Sequence, residues 1–340
     1  MNFFTAKNLI LILSFSLCLN NSTYAEVINK YVGINLAGAE FNSSTLPGKQ
    51  GTNYLWPTPA EINQYGDAGF NTIRVPFRWE RMQPTLNESL NETEAGYLDS
   101  IIDTAKKRNI TIIIDPHNYG SYKNSLIGSE NVPNNAFSNF WSRLAERYKK
   151  YPNVMFGLMN EPNKQSAEEW AEIAQSTIYA IRKTGAKQVI LVPGTRWSGA
   201  HSWLSKSGNL SNAEALKNIH DPAENIIFEL HQYFDSNSSG TKPECVSEEI
   251  GAQRLKASTE WMRANHRKGL LGEFGASVDP VCLQALNKTL EYMQKNSDVW
   301  VGWTYWAAGK WFGKYMFNIY PPDLNSSKQL QVITPYLPNR

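Results

Sequence analysis

Apolar runs of strand length recur along this chain, and most of them end in polar residues. The runs are YVGINLA (31–37), NTIRVPF (71–77), ITIIIDPH (110–117) and NVMFGLMNEP (153–162). KQVILVPG (187–194), NIIFELHQY (225–233), GLLGEFG (269–275) and VWVGWTYW (299–306) follow. Their starts lie some thirty to forty-odd residues apart, room for a strand, a loop, a helix and a return. Continuous Ile/Val/Leu rather than alternation is the pattern of parallel strands covered on both faces.

Helical patterns fill the gaps. TPAEINQYGDAG predicts a start at Thr58, with Pro59 at the first helical position and Glu61 at capping-box spacing. AGYLDSIIDTAKKRN sets Leu98, Ile101, Ile102 and Ala105 on one face. NAFSNFWSRLAERYKKY, SAEEWAEIAQSTIYAIRKTG and VCLQALNKTLEYMQKN repeat that period. Eight strand–helix units predict an α/β fold, a single (β/α)8 TIM barrel. A doubly wound open sheet is the alternative, but no Gly-rich phosphate loop follows the first run.

The first residues stand apart from this pattern. Lys7, the apolar NLILILSFSLCL and the small-residue site at Thr23 and Ala25 predict an export signal over 1–25. Its apolar run is shorter than the ~20 residues of a bilayer span. Cleavage leaves 340 − 25 = 315 residues, 26–340, as one catalytic barrel domain. The expected location is secreted, extracellular or, in a Gram-negative bacterium, periplasmic. The formal charge of +2, with no basic tract, argues against nucleic acid and acidic membrane surfaces as partners. Cys18 leaves with the signal, so Cys245 and Cys282 meet an oxidising compartment and are expected to pair.

Polar residues gather at the C-terminal ends of the runs: Arg74, His117, Asn160 with Glu161, His231 with Tyr233, Glu273 and Trp306. In a barrel these ends form the catalytic rim. Glu161 and Glu273 are a candidate facing pair, and two such carboxylates cleave glycosidic bonds with retention or inversion according to their separation. Arg74 would keep a neighbouring carboxylate ionised, while His231, Tyr233 and Asn160 offer hydrogen bonds to carboxylates or sugar. Trp306 and Trp311, in WAAGKWFG, suit stacking on a sugar's C–H face, as do Trp197 and Trp203 in TRWSGAHSW. No HExxH or His-x-His spacing is present, so no metal and no cofactor are expected.

At these residues the sequence resembles glycoside hydrolase family 5, the cellulase family built on a (β/α)8 barrel. GINLAG, TIRVPFRWERMQP, DPHNYG, FGLMNEP, HQYFDSNSSGTKPECV, GEFG and YWAAGKWFG carry the resemblance. The last two long motifs resemble its secreted endo-β-1,4-glucanases, subfamily 5. The resemblance implies Glu161 as acid/base and Glu273 as nucleophile, with retention of anomeric configuration. It implies Arg74, His117, Asn160, His231, Tyr233 and Trp306 as the remaining active-site positions, and supports the Cys245–Cys282 pair. The expected protein is a monomeric endoglucanase acting on β-glucan chains. An endo-β-mannanase or xyloglucanase with the same mechanism, and a carbohydrate-binding protein without catalysis, are the alternatives.

Overall fold

The computed structural model describes Met1, residues 29–323 and residues 325–338. The expected export signal lies outside them, Met1 apart. Among the described residues no helix is long and apolar enough to cross a membrane.

Eight parallel strands close a barrel. They are β1 (Tyr31–Leu36), β2 (Thr72–Phe77), β3 (Thr111–Pro116) and β4 (Val154–Gly157). β5 (Ile190–Pro193), β6 (Ile226–His231), β7 (Gly269–Glu273) and β8 (Trp300–Ala308) complete it. Each strand pairs with its neighbours in sequence, and β1 pairs with β8 to close the ring.

Capping fixes where the outer helices begin. α1 (Pro59–Asp67) starts on the Thr58–Glu61 capping box, as its sequence predicts. α2 (Glu92–Lys107) is capped by Asn91, so it starts before the AGYLDS stretch that marks its apolar face. α3 (Asn134–Tyr148) and α4 (Ala167–Lys183) follow, the latter on a Ser166–Glu169 capping box. α5 (Ile250–Ala264) is a helix whose periodicity is weak, because its buried face includes Ser258 and Thr259. α6 (Pro280–Lys295) is capped by Asp279.

Period-two alternation stacks the barrel interior in layers. Ile113, Met155, Leu191, Ile227 and Leu270 form an apolar floor. Two residues further along, β3 presents Asp115 and β6 presents Glu229, both fully or almost fully buried. Two residues beyond those stand His117 and His231. Burying the floor contributes about 1.5–3 kcal/mol per large side chain. The carboxylates above it are tolerable only because Arg74 is buried among them.

The run at 153–162 departs from expectation. Only Val154–Gly157 is strand. Leu158 and Asn160 still donate backbone bonds to Leu191 and Pro116, but Glu161 has φ +45° and cannot continue a strand.

Candidate active site

Arg74 organises the centre. Its guanidinium lies 2.9 Å from Glu273 Oε1, 3.1 Å from Asp115 Oδ2 and 2.9 Å from Glu229 Oε1. It also donates to Asn35 Oδ1 and Asn160 Oδ1, each at 2.9 Å. Burial disfavours the cation, but three carboxylates at contact distance outweigh that and raise its pKa further. Burial also raises Asp115, against the pull of Arg74, to about 7. Glu229 ends below its usual value, since Arg74 and His231 overcome its burial.

Above this layer sit the two candidate carboxylates. Tyr233 donates its O–H to Glu273 Oε2 at 2.9 Å. His231 Nδ1 lies 2.8 Å from Glu161 Oε1 and 3.6 Å from Glu273 Oε2. One oxygen of Glu161 and one of Glu273 are within 4.8 Å of each other. Burial raises the Glu273 carboxyl, with the His231 and Arg74 charges opposing. A register irregularity sets this geometry: Leu230 pairs with Leu271, but His231 pairs with Glu273, skipping Gly272.

The two histidines differ in charge: His231 is held as the cation and His117 neutral. Burial pushes His117 down to about 3, helped by the Arg74 and Arg78 cations. Its Nδ1 lies 2.8 Å from Asp115 Oδ2, and its ring stacks on Trp306 at 5.5 Å and 16°. Burial alone would lower His231 too, but the Glu273 charge and the bonds to Glu161 and Glu229 lift it to about 10. Glu161, His231 and Glu273 offer two carboxylates and an imidazole at metal-ligand spacing. A protonated imidazole is no ligand, so a metal would have to displace that proton.

A cleft runs over both carboxylates. On one side His117, Tyr119, Glu161, Glu273, Trp306 and Tyr315 enclose about 530 Å³. On the other, Glu161, Trp197, His201, His231 and Asn237 enclose about 500 Å³. Glu161 borders both halves, whereas Glu273 borders only the first. Asn160 Nδ2 is buried without a partner in the protein.

Arg74, His117, Asn160, Glu161, His231, Tyr233, Glu273 and Trp306 thus come together at one place, Arg74 from within β2 rather than from its end. Trp203 does not. It is 0 % exposed and packs edge-on against Phe228 and Trp261, so it belongs to the core rather than to a sugar platform. Trp197, 56 % exposed, lines the cleft instead. Trp311 is 39 % exposed but does not border either half of the cleft. Cys245 and Cys282 are disulfide-bonded, with Cα atoms 5.3 Å apart.

Asp115, Glu229 and Asn35 are site residues that sequence reasoning missed. The available signal is the repeated carboxylate-x-His pattern, Asp115 to His117 and Glu229 to His231, inside apolar runs. The glycines around Glu273 are required by the protein's own packing. A Cβ on Gly272 would lie 2.3 Å from Glu229 Oε1, and one on Gly275 would lie 2.4 Å from the Trp306 carbonyl oxygen. Both make room for the protein itself.

A (β/α)8 barrel with a facing carboxylate pair, imidazoles and an aromatic wall on its rim defines a glycoside hydrolase. The chain belongs to the family described as Cellulase (glycosyl hydrolase family 5), whose profile matches residues 34–309. It is 38 % identical over 311 residues to probable endo-beta-1,4-glucanase B of Neosartorya fischeri, covering 91 % of this chain and 92 % of that one. It is 37 % identical to endo-beta-1,4-glucanase A of Emericella nidulans, covering 90 % and 92 %. Among solved structures, XacCel5A in complex with cellopentaose is 48 % identical, with a TM-score of 0.88 over 91 % of this chain and 99 % of that one. The endo-beta-1,4-glucanase Xac0029 of Xanthomonas axonopodis pv. citri is 43 % identical, with a TM-score of 0.88 over 91 % and 98 %.

Proposed function

We propose that this chain is a secreted endo-β-1,4-glucanase, residues 1–25 serving as export signal and 26–340 as catalytic domain, that hydrolyses cellulose chains with retention. The single observation that carries the mechanism is the approach of Glu161 and Glu273 oxygens to within 4.8 Å. Retaining pairs stand about 5–5.5 Å apart, whereas inverting pairs need roughly 6.5–9.5 Å to admit a water. The substrate reading rests on relatives named endo-beta-1,4-glucanase and on a relative's complex with cellopentaose.

In this reading Glu273 attacks the anomeric carbon while Glu161 gives its proton to the departing glycosidic oxygen. Glu161 then takes a proton from water, which attacks the same carbon and releases Glu273. Arg74 and the Tyr233 O–H favour the ionised nucleophile. Asn160 Nδ2 donates to a hydroxyl of the sugar beside the reacting carbon. Because Glu273 borders only the Trp306 half, that half holds the sugar under attack and the Trp197 half holds the leaving chain.

The test is reducing-end release from carboxymethyl cellulose, β-mannan, xylan and mixed-linkage glucan, with wild type and Glu161→Gln. Release from the cellulose derivative that falls ~10²–10⁴-fold in the variant, with the β-anomer first in the NMR spectrum, is the expected result. Activity confined to mannan keeps the mechanism and replaces the substrate. Tight polysaccharide binding with no release would make the chain a binding protein.

A further inference from the structure

We propose that Tyr119 contacts the glucosyl unit under attack, its hydroxyl hydrogen-bonding that sugar and its ring extending the aromatic wall begun by Trp306. The inference deepens the reading above and rests on it. Tyr119 stands in the loop after β3 with φ +54°, a conformation a bulky residue adopts rarely and at a cost of about 1–2 kcal/mol. Strain of this kind persists only where surrounding structure imposes it, and it concentrates at functional sites.

The surroundings do impose it. Tyr119 N–H donates to the Asn160 carbonyl at 3.0 Å, tying the residue to the Asn160–Glu161 strand end. On one side, Asn118 is held by the Trp79 N–H and donates to Glu80 Oε2, each at 2.8 Å. On the other, Gln165 Nε2 donates to the Gly120 carbonyl at 2.7 Å. The backbone is pinned, yet the side chain is 39 % exposed.

That exposed ring faces the cleft. It meets His117 edge-on at 5.3 Å and 82°, and His117 stacks in turn on Trp306. It borders the half that contains Glu273 and not the Trp197 half. Burial and the charges of Glu161 and Glu273 raise the hydroxyl's pKa, so it remains a proton donor at any working pH. A Tyr needed only for folding would be packed on both faces, whereas this one is partly open toward the half of the cleft that contains Glu273.

The experiment compares Tyr119→Phe and Tyr119→Ala with wild type on cellopentaose and on an aryl β-cellobioside, with melting temperatures measured alongside. The two substrates share the sugar under attack and differ in the leaving group. The expected result is a kcat/KM about tenfold lower for Tyr119→Phe on both substrates, one hydrogen bond's worth. Tyr119→Ala should lose more, with the melting temperature little changed in either variant. Values near wild type on both substrates overturn the inference, and so does a loss confined to cellopentaose, which would move Tyr119 to the leaving-group side. A wild type inert on both substrates would instead sink the function proposed above, and the inference with it.

Discussion

His231 holds Nδ1 2.8 Å from Glu161 Oε1, while His117, placed by the same two-residue step after a buried carboxylate, stacks on Trp306 and stays uncharged. Glu229 and Asp115 begin the two steps. The difference lies in the company each ring keeps. His231 is bonded to Glu161 and Glu229 beside Glu273, whereas for His117 burial, with the Arg74 and Arg78 cations, outweighs the Glu273 charge.

These opposite pKa shifts predict how stability follows pH. The His231 pKa rises from 6.5 to about 10 on folding, so its contribution is complete below 6.5 and disappears as pH climbs toward 10. The His117 pKa falls from 6.5 to about 3, so its contribution is complete above 6.5 and is lost as pH drops toward 3. In the curve of melting temperature against pH, these two contributions are both complete near pH 6.5, one lost on the alkaline side and the other on the acid side. His231→Asn should flatten the alkaline side of that curve and His117→Asn the acid side. Identical curve shapes in all three proteins would contradict the assignment.

Glu273→Gln keeps the size and the hydrogen-bonding edge of the side chain but removes the nucleophile. Turnover should fall by on the order of 10⁴-fold or more. Cellopentaose affinity by calorimetry should stay close to wild type, because the aromatic wall and Asn160 remain. Parallel loss of binding would mean that Glu273 shapes the pocket instead of attacking.

Tyr233 is predicted to set the acid limb of activity. Its O–H stabilises the ionised Glu273 carboxylate, which burial already pushes upward. Removing that donor with Tyr233→Phe should raise the pKa again, moving the acid limb of kcat/KM to higher pH by about one unit. An acid limb that stays in place would assign it to another group.

The strands were legible because parallel strands buried on both faces need continuous apolar runs. Their polar ends were legible because His, Asn and Glu stand where a core strand would stay apolar. Asp115 and Glu229 were not, since a lone charge in a strand reads as an interruption until its partner Arg74 is seen across the lumen. Trp203 misled for a related reason: a loop Trp reads the same whether it faces solvent or turns beneath the loop onto Phe228. The loop before Trp203 runs through left-handed backbone at Arg196, Trp197 and Ser198, and no glycine among those three announces it.

The two glycines flanking the Glu273 segment separate catalysis from binding. A methyl group at Gly272 must displace Glu229, which holds Arg74 Nε at 2.9 Å and His231 Nε2 at 3.4 Å. Glu229 and Arg74 lie beneath the carboxylates and line neither half of the cleft. A methyl group at Gly275 must instead displace the Trp306 carbonyl or Phe317, tilting the aromatic wall. Overpacking at either site should cost about 1–3 kcal/mol of stability. Gly272→Ala should therefore lower kcat at least about tenfold, the work of one misplaced charge pair, with KM nearly unchanged. Gly275→Ala should raise KM more than it lowers kcat. Steady-state kinetics on cellopentaose at a temperature where both variants remain folded would decide it, and equal kcat and KM effects in the two would show that the glycines act on the fold alone.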